Sequence, residues 1–249
     1  MIKNTFKLAL LASVTAGAFA AGAARAEEEG PLSLTANASV TSDYRFRGVS
    51  LNQESVAFQG GMDLSYTITD AVSFFAGTWA STGDKNTFGA SEVDVYAGLT
   101  GSVSNIGWKL GGIGYLYPDA KGLDYYEIQG EVNGEVGPAT AALGIFYAPD
   151  QSNTTEDNWY VYTNVSYAIP ETPVTLKASL GYEDGAFAYG DSKLDWSIGA
   201  SFAYKNFTLT AAYVDTNKSK GETGYFGNSP ADIKHAGDAA VVFTLGASF

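Results

Sequence analysis

Eight ionisable side chains fall where neighbouring residues alternate between apolar and polar: Asp63, Glu92, Asp94, Lys109, Glu127, Glu131, Lys177 and Asp195. If their polar stripes enclose a common space, six carboxylates oppose two lysines there, and local cation concentration rises. The same charges could instead pair with one another inside a plugged, non-conducting interior. Arg45 and Arg47 in "DYRFRG" form a second group. Alternation sends both to one side at the rim of the first extended segment, opposite Phe46. There they can hold loop carboxylates or lipopolysaccharide phosphates in bidentate fashion, or reach over a mouth and act on solute anions. Gly48 follows and suits a turn that a β-carbon would not tolerate.

Other chemistries are poorly served. The chain has no cysteine, hence no disulfide, metal thiolate or thiol nucleophile. His235 is the single histidine. A catalytic histidine needs a nucleophile and an orienting group in geometry that sequence neighbours such as Ser229 do not supply. Asp215, Asn217 and Ser219 have the spacing of a calcium loop, but the glycine comes one place late and Glu222 too early. Gly111 to Gly114 contains no dinucleotide fingerprint, because no helix follows. The expectation is no enzymatic activity, no metal and no cofactor.

The elements that would position these residues have a period of two. Leu32, Leu34, Ala36, Ala38 and Val40 alternate with Ser33, Thr35, Asn37 and Ser39. The pattern recurs around residues 56–66, 92–99 and 125–136. It continues at Ala139–Tyr147, Trp159–Tyr167, Val174–Tyr182, Leu194–Tyr204, Phe207–Val214 and Ala239–Phe249. Two further segments, Ala71–Ala80 and Ile106–Leu116, are ambiguous in facing. Together they predict about twelve strands, each near the length that crosses a bilayer at a tilt. Connections alternate in length: short ones such as "TITD" and "KN", and long ones such as "RFRGVSLNQE" and "EDGAFAYGDSK". Short turns on one side and long loops on the other imply an all-β, transmembrane, antiparallel up-and-down barrel with both termini at the short-turn end. Aromatic residues gather near strand ends: Tyr44, Tyr147, Trp159, Tyr182 and Tyr213 on the long-loop side, and Tyr66, Tyr167, Tyr204, Phe207 and Phe249 on the other. Such girdles are expected where rings meet headgroups.

Residues 1–26 read as a cleaved signal peptide: Lys3 and Lys7, an uncharged stretch, then Ala24-Arg25-Ala26. The barrel would occupy 27–249. The whole chain carries 14 basic and 27 acidic residues, a net charge of −13. Removing Lys3, Lys7 and Arg25 leaves 11 basic residues against the same 27 acids, or −16. That excludes general nucleic-acid binding, which needs a basic face. Val241, Phe243, Leu245, Ala247 and Phe249 keep the alternation to the last residue. In a closed barrel the final strand pairs with the first and has no free edge. A terminal phenylalanine after such alternation also resembles the signature that the outer-membrane assembly machinery recognises, so Phe249 is the expected assembly signal. Expected partners are outer-membrane lipid, lipopolysaccharide and that machinery, in the outer membrane of a Gram-negative bacterium. The oligomeric state is left open.

One stretch carries a closer likeness. "SVTSDYRFRGVSLNQESVAFQGGMDLSY" resembles the opening motif of the TorF-type putative porin family of proteobacterial outer-membrane proteins. The matching residues are Phe46, Arg47, Gly48 and Ser50, then Gln59, Gly60, Gly61 and Asp63. "EVDVYAG" at Glu92–Gly98 and the set Tyr117, Pro118, Tyr125, Tyr126 and Glu127 extend the resemblance, while Arg45 is an addition to the pattern. The resemblance implies an outer-membrane barrel and a pore for small hydrophilic solutes. A structural or surface-interaction barrel with a closed lumen is the alternative.

Overall fold

Twelve long strands close into one barrel, each antiparallel to its neighbours in sequence. The computed structural model describes residues 30–85, 87–154, 156–218 and 236–249. The segment read as a signal peptide, the tail of the 215–222 loop and His235 lie outside the described residues. In chain order the strands are β1 (Leu32–Thr41), the two-residue β2 (Arg45–Phe46) and β3 (Val49–Ser50), β4 (Ala57–Thr69), β5 (Val72–Thr82), β6 (Ser91–Val103), β7 (Ile106–Leu116) and β8 (Tyr125–Val136). They continue as β9 (Ala139–Ala148), β10 (Asn158–Ala168), β11 (Val174–Gly185), β12 (Ser192–Tyr204), β13 (Phe207–Thr216) and β14 (Ala240–Ser248). The wall is β1 and β4 to β14. β2 and β3 form a separate hairpin.

The seam joins the chain's ends. β1 pairs with β14 through Asn37 opposite Ser248 to Thr41 opposite Thr244. Beyond the strand, Phe249 and Ala36 exchange both backbone hydrogen bonds (2.8 and 3.0 Å). Closure leaves no row of unpaired amides, which is what lets a sheet stand in hydrocarbon. Alternation then sorts the wall. Phe58, Met62, Val95, Ile128, Leu143, Val161, Leu180, Ile198, Leu209 and Phe243 are exposed on the outside. A continuous apolar outer surface of that kind is costly in water and favourable against lipid. Trp159, Tyr182 and Tyr213 near the long-loop ends, and Tyr66, Tyr204, Phe207 and Phe249 near the short-turn ends, are exposed on the same surface.

The interior departs from the simple alternation. Many inward positions in the long-loop half are aromatic: Trp79, Tyr115, Tyr125, Phe146 and Tyr160 are buried there with Phe88, Tyr117 and Phe187 from the loops. Tyr115 and Tyr125 stack at 4.4 Å, and Phe187 lies 4.7 Å from Tyr125. Tyr44, expected in the long-loop girdle, is 1% exposed and belongs to this inner cluster. Its ring packs 5.5 Å from Trp79 and 6.2 Å from Phe88. The facing of β5 and β7 follows: Phe75, Trp79, Ile113 and Tyr115 point in, and Phe74, Ile106 and Leu110 point out.

Candidate functional site

The first long connection does not stand above the barrel. It folds into it, and its residues dictate how. Arg45 pairs with Ser50 and Phe46 with Val49, so Arg47 and Gly48 form a two-residue turn. Their φ angles are +47° and +83°, the positive values that a tight hairpin of matching twist requires. Gly48 is also fixed by space: a β-carbon there would lie 2.6 Å from Asp195 Cβ on β12 and 3.0 Å from the Asp215 carbonyl on β13. The hairpin is internally hydrogen-bonded. Asp43 accepts from Arg45 Nε (2.5 Å) and Ser50 Oγ (2.6 Å), and Asn52 Oδ1 accepts from the Tyr44 amide (2.9 Å). Arg45 also donates to Glu54 Oε1 (3.0 Å) and to the Gly48 and Asp238 carbonyls (3.1 and 2.5 Å).

Both arginines were expected at the rim, and both are instead buried inside the barrel mouth, Arg45 at 3% and Arg47 at 4% exposure. Alternation misplaces them because the positive φ at Arg47 ends the strand geometry that it assumes. Arg45 holds loop carboxylates, one of the roles expected of it. Arg47 spans the lumen. Its Nη2 donates to Glu127 Oε2 on β8, and its Nη1 to Glu183 Oε1 on β11, each at 2.5 Å. Its guanidinium lies 4.2 Å from the Tyr160 ring centre and 4.6 Å from that of Phe46. Lys193 on β12 closes on Glu183 Oε2 at 2.5 Å. Tyr115 donates to Glu127 (2.9 Å) and Asn158 to Glu183 (3.1 Å). Two cations thus neutralise two carboxylates in a site nearly without solvent. Burial alone would lower the pKa of Arg47, but the charges of Glu127 and Glu183 outweigh it and raise it well above the ordinary value.

The structure places the eight expected wall residues in four groups. Glu127 is in the clamp. Glu92 and Asp94 are sealed beside the hairpin at 1% and 0% exposure. Tyr44 donates to Glu92 Oε2 (3.0 Å), while neither oxygen of Asp94 receives a hydrogen bond among the described residues. Burial, then the charges of Glu92 and Asp94, push the Tyr44 phenol well up, so it remains a donor. Asp63 and Lys109 face inward nearer the short-turn end, where Asp63 accepts from Tyr96 (2.5 Å) and Lys109 sits over Phe75 (4.8 Å). Glu131, Lys177 and Asp195 border a cavity of about 230 Å³. Its upper end is the hairpin tip, Arg47 and Gly48, and it runs to Thr140 and Ser166 near the short turns.

Three inward tyrosines share a construction. Tyr96 lies opposite Gly77, which lies opposite Asp63. Tyr162 lies opposite Gly144, which lies opposite Glu131. The missing side chain on the middle strand lets each phenol cross to the carboxylate beyond it, with Tyr162 donating to Glu131 at 2.6 Å. Tyr160, opposite Glu183, leans diagonally across Gly181 to reach Asp195 (3.1 Å). Sequence reasoning missed Glu183, Lys193, Tyr160 and Tyr162. The first two were counted as loop, but β11 runs on to Gly185 and β12 begins at Ser192. The signal was present: Glu183 falls on the polar phase of "VTLKASLGYEDG". Among the described residues no group of three or more His, Cys, Asp or Glu side chains is arranged to hold a metal ion.

Comparison with known proteins bears on the fold. The barrel is similar to an outer membrane channel from Pseudomonas putida F1, with a TM-score of 0.58, 10% identity, and 93% of this chain and 100% of that one covered. It is similar to the NanC porin at a TM-score of 0.55 and 11% identity, covering 87% and 99%, and to the KdgM porin at 0.53 and 8%, covering 86% and 98%. At such identities the likeness is one of architecture. No curated protein matches. The model of a family described as a bacterial protein of unknown function, Gcw_chp, matches residues 25–249, and the chain belongs to that family.

Proposed function

We propose that the protein is an outer-membrane, porin-like channel for small hydrophilic solutes, seen here with its long-loop mouth shut by the hairpin at Asp43–Ser55. The observation that carries this reading is the Arg47 clamp. A barrel meant only to be solid could be filled with apolar side chains, and a buried ion pair is seldom more stable than such filling. Here the plug is tied by charges at the tip of a loop, over a cavity of mixed polar and apolar lining that continues toward the other end. The closed state also keeps the Glu92 and Asp94 carboxyl groups out of water with no cation beside them among the described residues, an unfavourable burial whether they hold their charge or take up a proton. Withdrawal of the hairpin would rehydrate them. The clamp and this cost oppose each other, as a switchable closure requires.

Selectivity belongs to the same proposal. In the closed state the cavity borders three carboxylates, Asp43, Glu131 and Asp195, and three cations, Arg45, Arg47 and Lys177. Without Arg47 the upper wall would present Glu92, Asp94, Glu127 and Glu183 against Lys193, an acidic ring that favours cations. The TorF-type resemblance, resting on Phe46, Arg47, Gly48 and Gln59–Asp63, supports the porin reading. Contact with lipopolysaccharide, and recognition of the terminal Phe249 by the outer-membrane assembly machinery, are part of it. Planar-bilayer recording of folded, detergent-purified protein tests the channel. Discrete conductance steps are expected, rare in wild type and frequent once the clamp is cut. The packed aromatic mouth favours a second reading, a permanently closed barrel, and silence from both proteins would establish it.

A further inference from the structure

We infer that Glu92 and Asp94 share a single proton while the hairpin is docked, so that closing the mouth takes up a proton and raising the pH opens it. The inference rests on the channel reading and names what would regulate that closure. The two side chains occupy alternate positions of β6 and turn inward together, at 1% and 0% exposure. Their carboxyl groups are within hydrogen-bonding reach of one another. Tyr44 on the plug donates to Glu92 Oε2 at 3.0 Å. Glu92 Oε1 and both oxygens of Asp94 are sealed from solvent and receive no hydrogen bond from the described residues. A carboxylate oxygen only accepts, whereas a protonated carboxyl group also donates. One proton between the two groups supplies the donor that this contact lacks. It also removes one of two like charges held together out of water.

The surroundings offer no countercharge. Across β5 the pair faces Ser81 and Trp79. The phenols of Tyr115 and Tyr117 approach from β7 and the loop beyond it, and Tyr125 and Glu127 from β8. Tyr96, next inward on β6, donates to Asp63. Glu127 is held by Arg47, and Arg45 on the hairpin by Asp43 and Glu54. Neither Glu92 nor Asp94 forms an ion pair among the described residues. Phenols ordinarily ionise near pH 10, so these tyrosines stay neutral in the physiological range. With the hairpin withdrawn, both carboxyl groups meet water and ionise above about pH 5, as ordinary ones do. The docked state keeps one proton, taken from bulk water and returned to it on opening. It binds one proton more than the open state, so closure is strongest at the acid end of this range and weakens as pH rises. A one-proton difference changes the open-to-closed ratio about tenfold per pH unit. The Arg47 clamp has the opposite sign, because protonating Glu127 or Glu183 would cut it and let acid open the mouth.

The test is single-channel recording of the folded, full-length barrel in planar bilayers between about pH 5.5 and pH 8, above the ordinary carboxyl range, beside infrared spectroscopy of the same protein. The wild-type open-to-closed ratio is expected to rise about tenfold per pH unit. Asp94→Asn replaces the shared proton with a permanent amide donor and should flatten the slope to less than about twofold per unit. Where that variant fails to fold, Glu92→Gln makes the same replacement from the other side. At neutral pH the wild type should show the C=O stretch of a protonated carboxylic acid, lost in either variant. A ratio that ignores pH, or that rises toward acid across this range, overturns the switch. So does a slope that both variants keep, and so does the lack of any carboxylic-acid band that the variants remove. Conductance steps without the slope overturn the switch and leave the channel. A band lost in the variants, with no conductance from any protein at any pH, supports the shared proton and removes the channel.

Discussion

Replacing Arg47 by alanine should open the mouth. Arg47 makes two charge-assisted hydrogen bonds at 2.5 Å, one to each of two fully buried carboxylates. At about 1.5–3 kcal/mol each, their joint loss is about 3–6 kcal/mol. Among the described residues Glu183 would keep Lys193 and Asn158, but Glu127 would keep only Tyr115. A buried carboxylate held by one phenol gains by returning to water, and hairpin withdrawal allows that. Against this stand Tyr44, Val49 and Leu51, all buried, at about 1.5–3 kcal/mol apiece for the aliphatic ones. The variant hairpin therefore still docks, but less completely. A shift of even about 3 kcal/mol raises the open-to-closed ratio by about two orders of magnitude. Single-channel recording should show this as a rise in open probability, with Arg47→Lys intermediate, because a point charge cannot span both carboxylates. An Arg47→Ala barrel that is folded by its gel mobility yet opens no more often than wild type would refute the clamp as the closing device.

Glu92→Gln with Asp94→Asn, made in the Arg47→Ala background, should lower the cation-to-anion permeability ratio measured under a salt gradient. An unchanged ratio would remove these residues from the conducting wall. Gly48→Ala faces both a positive φ and Asp195 Cβ at 2.6 Å, so it should undock the hairpin and raise open probability as Arg47→Ala does. Gly144→Ala places a methyl group into the Tyr162 ring and should destabilise the barrel by about 1–3 kcal/mol, read as a lower urea midpoint for unfolding. A midpoint equal to wild type would show that Tyr162 does not lie across that glycine.

Twelve strands, their alternating connections and the outward apolar stripe were all legible in the residues, because a half-lipid wall demands period two at every strand. "TLGASF" already implied a closed seam, and Phe249 does pair with Ala36. The presence of acids on the inner phase was equally plain at Glu92, Asp94 and Glu127. Their partners were not. Arg47 is 80 residues from Glu127 and 136 from Glu183, and no local pattern encodes a loop that turns inward. That choice is made by the space inside a closed wall. Gly48 fits only against Asp195, Tyr44 only between Trp79 and Phe88, and the glycines opposite Tyr96 and Tyr162 matter only once strands stand side by side. Local alternation by itself decided which face each strand turns to lipid. The tertiary structure alone decided what fills the centre, because that depends on groups brought together by closure rather than by neighbourhood along the chain.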